Sequence, residues 1–342
     1  MRLAPSAEEA AFAASLHEAL GAARAMSGAA SAAPFGAPSG APSAWWRLGA
    51  LGVTGLAVPE RFGGAGAPAS ALVVAAEELG HHAVPGPVAA SIAAVPVLLA
   101  EGGDLGAKWL PELAAGRVAA ALTAPPWLPL EPDAAAAWMP EAAAAGAAGI
   151  VVRVEPGVVR LGAADSAGDV VAEGPAVAPL VARALNLGAL VCAAQLLGLG
   201  RAMLEASVAY AKAREQFGGP IGRFQAVQHR LADVAVGLEF ARPLLYAAAA
   251  VCEEPSAGTT AAAVVAEPGI GNADRDVSAA KVACGEAAHR AARAALQIHG
   301  ALGYTREHGL ERWLTATRVL RLAWGTPAQH RERIMAELAR ET

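Results

Sequence analysis

The spacing of apolar positions changes twice along the chain, and the changes divide it into three stretches. Over residues 8–25 apolar side chains return every three or four positions, the stripe of an amphipathic helix. An Ala/Pro/Ser/Gly connector follows over 27–43, and Trp45-Trp46-Arg47 opens a second helix. Residues 59–64 read as a turn, 70–79 as a helix stopped by Gly80, and Leu110-Pro111 as part of a short helix ending near Gly116. Beyond Val118 prolines and glycines become frequent and short β-branched runs appear. Runs 149–155 and 158–161 flank Pro156-Gly157, which suits the second and third positions of a type II turn, so a hairpin is expected. From Leu180 helical spacing returns over 181–214, 224–252, 274–298 and 305–322, with a last helix after Thr326. Long helices with apolar stripes pack most simply as a bundle. The expected fold is mainly α with a small β middle domain. It comprises an N-terminal helical domain over 1–117, a reduced β domain over 118–179 and a C-terminal four-helix bundle over 180–342.

Composition sharpens this picture. Apolar residues make up 55% of the chain and aromatics only 5%, with alanine dominant, which favours closely packed helices. The most apolar run, 184–200, is bounded by Arg183 and Arg201 and contains Asn186 and Gln195. It is of marginal length for a membrane span and is read as a buried bundle helix. With 26 basic against 31 acidic residues and no basic cluster interleaved with aromatics, neither nucleic acid nor membrane is an expected partner. Cys192, Cys252 and Cys284 are scattered, which suits a reducing cytoplasm, the expected location. The first residues turn acidic before any apolar run, so no signal peptide is expected there.

Several chemistries lack their motifs: no solenoid repeat, no Gly-x-Ser-x-Gly and no strand-borne Gly-x-Gly-x-x-Gly occurs. Glu286-Ala-Ala-His289 has a spacing used in bundle di-iron sites but reads as a surface or packed histidine. His81-His82 read as capping the helix before them, so no metal is expected. Arg214 ends a long helix and precedes Gln216, Phe217 and Gly218 in a turn, where a guanidinium can clamp a pyrophosphate. Gly300 and Gly303 let backbone N–H groups approach phosphate oxygens. Singly, each motif has a plainer reading: a solvated arginine, or a histidine, His299, favouring a helix C-terminus.

Three segments, taken in order, carry more. LGALGVTGLAVPERFGGAG (48–66) with AAEELG (75–80), YAKAREQFGGPIGRFQAVQHRLADV (210–234) and QIHGALGYTREHGLERWL (297–314) resemble the acyl-CoA dehydrogenase family, in a short, actinobacterial-type form. The resemblance implies FAD as cofactor. Arg214, Gln216, Phe217 and Gln225 are expected to contact it. Gln297, His299, Gly300 and Ala301 would receive the ADP portion of a flavin from a neighbouring subunit, and Thr326 would also touch flavin.

The family also uses a glutamate to remove the α-proton of an acyl-CoA thioester, and such a base must reach that proton directly. The resemblance places it at Gly188 or at Trp324, and neither carries an acid. Ala189 and Ala328 stand where relatives commonly have arginine and glutamine. No catalytic residue is therefore expected in this chain. The implied function is a FAD-contributing subunit of a hetero-oligomeric acyl-CoA dehydrogenase whose partner supplies the base. The implied assembly is a homodimer or a heterotetramer with a second acyl-CoA dehydrogenase subunit, with an electron-transfer flavoprotein as a possible redox partner. Two alternatives stay open: a self-sufficient FAD enzyme using Glu239, Asp233 or His229 as base, and a cofactor-free structural or binding protein that retains only the fold.

Overall fold

Ser6 and Glu9 cap each other reciprocally, Glu9 N–H donating to Ser6 Oγ (3.1 Å) and Ser6 N–H to the Glu9 carboxylate (2.7 Å). From this cap the first helix, α1 (Ala7–Met26), runs outward. The structure is a computed structural model and describes residues 3–26, 44–123, 148–162, 168–253, 272–305 and 309–341. The connector expected over 27–43 lies outside the described residues. After it come α2 (Ala44–Ala50), α3 (Ala69–His81), a π-helical turn (Ala90–Ala94), α4 (Val95–Ala100) and α5 (Gly103–Ala114).

A four-stranded sheet follows, ordered β1 (Val118–Thr123), β2 (Ala148–Glu155), β3 (Val158–Gly162) and β4 (Asp169–Glu173). The expected hairpin is present: Glu155 pairs with Val158 across Pro156-Gly157. Gly157 has φ +74°, which the third position of a type II turn requires. β1 pairs with β2 in parallel, a relation no local signal announced. It is fastened to the N-terminal helices by buried Ser91, whose Oγ donates to Ala120 O (3.0 Å) and accepts from Ala120 N–H (2.8 Å).

Helices α6 (Val177–Ala213), α7 (Gln225–Cys252), α8 (Ala273–His299), α9 (Leu310–Leu322) and α10 (Pro327–Glu341) complete the fold. α6 begins ahead of the expected residue 181 because Pro179 falls in its first turn, where a missing N–H breaks no helical bond. α9 begins at Leu310 rather than 305, because Gly300–Tyr304 forms a tight 3₁₀ turn first. All residues from 186 to 200 are buried, so the apolar run is the central helix, covered by α3, α7 and α8.

One expectation is corrected here. Gly80 does not stop α3, which continues to His81. Gly80 is a crossing point: a Cβ there would lie 2.1 Å from Gln195 O on α6, and one on Gly198 would lie 1.9 Å from Glu77 O on α3. The two backbones touch because neither helix carries a side chain at the crossing. Beside it, Arg201 donates to Glu77 (2.9 Å) and Glu78 (2.6 Å), and Arg242 pairs with Glu77 at 3.0 Å. Both carboxylates are buried, so this network joins the N-terminal helices to the bundle.

Candidate functional site

The two expected base positions, far apart in sequence, meet in space. Lys281 on α8, buried, donates Nζ to Leu320 O (3.0 Å) and Arg321 O (3.4 Å), satisfying carbonyls left over at the end of α9. Its burial lowers the ammonium pKa. The chain then turns through Trp324, which has φ +60° and is 6% exposed. The indole lies on Gly188 of α6: a Cβ added there would fall 2.1 Å from Trp324 Cζ3. Glycine at 188 is thus the space the tryptophan occupies. His330 locks the turn, Nε2–H donating to Trp324 O (2.9 Å) while Nδ1 accepts from Ser278 Oγ (3.1 Å). Burial pushes the imidazole pKa down to about 4, and the Lys281 charge adds to the effect. A neutral ring with both nitrogens engaged holds a turn in place and does not take a proton from elsewhere.

Beside Trp324 opens a cavity of ≈ 1110 Å³ between the β2–β3 turn, the first turns of α6 and α10. Most of the acids on its wall are engaged. Asp274 accepts from Asn186 Nδ2 (2.6 Å) and pairs with Arg333, while Glu337 accepts from Asn272 Nδ2 (2.9 Å) and pairs with Arg340. Glu155 pairs with Arg160 at 3.7 Å, and Glu332 is exposed. The alternative bases Glu239, Asp233 and His229 are exposed on α7 and lie outside this cavity. Thr326 caps α10: its N–H and Oγ1 reach Gln329 Oε1 at 2.8 and 3.0 Å.

The remaining expected cofactor contacts gather at the other end of α6. At 1.5 Å of rise per residue, Gly188 and Tyr210 are separated by about 33 Å along that helix. Arg214 leaves the helix in an extended conformation and is exposed. Glu215–Gln216 then pairs with Gly219–Pro220, leaving Phe217 and Gly218 as the two turn residues. Their φ values of +55° and +82° fit a type I′ turn, which matches the twist of a hairpin. Arg223 braces this turn, donating to Gly218 O (3.1 Å) and to Phe217 O. Phe217 itself is 85% exposed. Gln216 donates to Glu215 O (2.7 Å), and Gln225, also exposed, opens α7.

The end of α8 lies against the last turns of α6. His299 is buried, donates Nδ1–H to Ala295 O (2.8 Å), and stacks on Tyr210 of α6 with ring centroids 4.4 Å apart. That stack joins the end of α8 to the last turn of α6 within one chain, and it leaves His299 facing inward. Gln297, Gly300 (φ +59°) and Ala301 are exposed and line a groove of ≈ 720 Å³ between α7 and α8. Arg230, Arg290 and Arg293 line the same groove, and sequence reasoning passed over them. Arg290, Arg293 and Gln297, spaced three and four apart on one helix face, were the available signal. Guanidinium groups, amide side chains and a glycine backbone suit an anionic dinucleotide. Thr326 follows Trp324, whose indole lies on Gly188, so it stands toward the other end of α6.

Models of the acyl-CoA dehydrogenase C-terminal and N-terminal domains match residues 178–339 and 8–117. The acyl-CoA dehydrogenase IpdE2 of Mycobacterium tuberculosis is 30% identical over 275 residues, 78% of this chain and 77% of that protein. The probable acyl-CoA dehydrogenase YngJ of Bacillus subtilis is 38% identical over 142 residues, 42% of this chain. There the chain spans only 33% of the relative's length. Among solved structures, the ChsE4–ChsE5 complex from Mycobacterium tuberculosis shares the fold with a TM-score of 0.73 at 22% identity, covering 99% of each chain.

Proposed function

The chain belongs to the acyl-CoA dehydrogenase family, and from that membership we propose that it is a short, actinobacterial-type subunit that cradles FAD in a hetero-oligomeric enzyme while a partner supplies the base. The observation that carries this reading is the Trp324 indole lying on Gly188. A proton-abstracting side chain must reach the substrate directly. Neither residue can accept a proton, and a carboxylate at 188 would need the volume the indole fills.

The residues that would hold FAD are Arg214, Gln216, Phe217, Gln225, Gln297, Gly300 and Ala301 at one end of α6, with Thr326 near the other. FAD, when bound, supplies a two-electron acceptor. This chain's own part is binding and orientation: the planar fork of Arg214 suits paired phosphate oxygens, and His299 fixes the glycine turn. Because the two sets of contacts are about 33 Å apart along α6, each dinucleotide draws on two subunits. An exposed apolar stripe on α7, formed by Val236, Phe240 and Leu244 at four-residue spacing, supports a subunit contact there. The partner's carboxylate would act on the α-proton of an acyl-CoA thioester, and an electron-transfer flavoprotein is the proposed onward acceptor.

The test is to purify the chain alone and co-expressed with a family member from a neighbouring gene that carries glutamate at a base position. The expected result is a yellow, active pair and no acyl-CoA dehydrogenation by this chain alone. Turnover by the pure homo-oligomer overturns the reading. Among the described residues Glu332, exposed on the wall of the Trp324 cavity, supports a base in this chain, and loss of such turnover in Glu332→Gln would establish it. An active pair that keeps its flavin when Arg214 and Gln297 are both truncated would leave this chain a structural subunit without flavin contacts.

A further inference from the structure

Away from both regions, α1 lies along α3 and sets His17 against the end of the helix that carries Glu78, His81 and His82. One ligand atom from each of these four side chains lies within 4.8 Å of the others. His17 Nδ1 is 2.8 Å from Glu78 Oε2 and 3.3 Å from His82 Nε2. The three imidazole rings have centroids 4.7, 4.8 and 5.0 Å apart. His81 Nε2–H donates to Glu205 Oε2 (2.8 Å), so in the neutral ring Nδ1 carries a bare lone pair. That Nδ1 is buried and has no hydrogen-bond partner. A buried lone pair left unmatched is destabilising, and an electrophile placed on it removes that cost.

We propose that His17, Glu78, His81 and His82 bind one divalent transition-metal ion of the zinc class, fastening the first helix to the third. Imidazole nitrogens with one carboxylate oxygen form a donor set suited to such ions. Metal–nitrogen bonds of about 2.0–2.1 Å in a tetrahedron set donor atoms about 3.3 Å apart, and His17 and His82 already stand at 3.3 Å. The surrounding groups are placed as supports. Glu205 fixes the tautomer of His81, and Arg201 donates to Glu78 Oε1 (2.6 Å), which leaves Oε2 facing the cluster. Glu77, Glu78 and Glu205 outnumber Arg201 and Arg242, so the immediate surroundings favour a cation. His17 has 46% of its side chain exposed and provides the entry path. With every metal position taken by protein the site is structural in type, since catalytic sites keep one position open.

The sequence reads His81 and His82 as helix caps, and His82 is the C-cap of α3. Trp313 Nε1–H from α9 donates to His81 O (3.1 Å), so another residue serves that carbonyl and the imidazole is left for other work. Glu78 and His81 share a helix face at a three-residue spacing. The missing member, His17, lies on a different helix.

Chelator-treated full-length protein, titrated with Zn²⁺ by calorimetry and with Co²⁺ by visible absorption, tests the site. The expected result is saturation at one equivalent, with intense Co²⁺ bands of tetrahedral nitrogen–oxygen coordination and a Tm that rises with Zn²⁺. His17→Ala, at a half-exposed position, should fold with a metal-free Tm lowered by the lost Glu78 bond, and lose saturable binding and the Tm response to Zn²⁺. Glu205→Gln should weaken binding by about tenfold to a hundredfold through the His81 orientation alone. Absence of saturable binding, or one-equivalent binding that both variants leave intact, overturns the proposal.

Discussion

Trp324 and Phe217 are both large aromatic residues held at positive φ, and they sit in opposite surroundings. The left-handed conformation costs a non-glycine residue on the order of 1–2 kcal/mol. At Trp324 that cost is offset within the chain: the indole is buried on Gly188, and His330 bonds its carbonyl. Phe217 has only an edge contact with Phe224, at 6.1 Å between centroids, and otherwise faces solvent. A strained residue that its own fold rewards serves stability. One that its own fold leaves exposed points to something outside the chain. The Trp324 turn is therefore fixed by the core, whereas the Phe217 hairpin stands open to solvent.

The sharpest way to break this contrast is truncation at both residues. Trp324→Ala should cost about 3–5 kcal/mol in denaturant unfolding, the usual price of emptying a large aromatic site. An equal loss at Phe217→Ala would erase the distinction. The next effect is on pH. The folded-state pKa of His330 lies at about 4, below the ordinary histidine value. Its stabilising contribution is therefore complete above pH 6.5 and is lost as pH falls towards 4, on the order of 3 kcal/mol. Unfolding curves at pH 7 and pH 4.5 should differ by more for the native chain than for His330→Gln. Gly188→Ala should cost about 1–3 kcal/mol by overpacking. In a Trp324→Ala background the sign should reverse to a gain of up to about 1 kcal/mol from helix propensity. A double-mutant cycle that shows no such coupling would separate the two positions. The smallest stability effects belong to the open end. Arg214→Gln should stay within about 0.5 kcal/mol and Phe217→Gly should gain a few tenths, while both reduce flavin retention in the co-purified assembly.

What the sequence disclosed follows the range of the interactions involved. The Pro156-Gly157 hairpin is local, so its residue types and spacing announce it, while the equally local Ser6–Glu9 cap was passed over. The bundle helices were legible from periodicity, with boundaries displaced where Pro179 fits a first turn and where Gly300–Tyr304 winds as 3₁₀. Gly80 was misread because a glycine that ends a helix and one that admits a crossing helix look alike until the partner is placed. The contacts that decide the site are remote ones: Trp324 on Gly188, Tyr210 on His299, and His17 beside His81. No window of sequence contains both members of such a pair. The family resemblance identified Gly188 and Trp324 as related positions, but only packing explains why one is the smallest residue and the other the largest.

The brace from Arg223 to the carbonyls of Phe217 and Gly218 has a kinetic consequence. A floppy loop must surrender conformational freedom when it is captured, and that ordering is subtracted from the free energy of association. Here Arg223 already holds the hairpin, ring outward, before any encounter. Cutting the tether with Arg223→Ala would leave every contacting atom in the chain and still shorten the lifetime of whatever docks on that aromatic face.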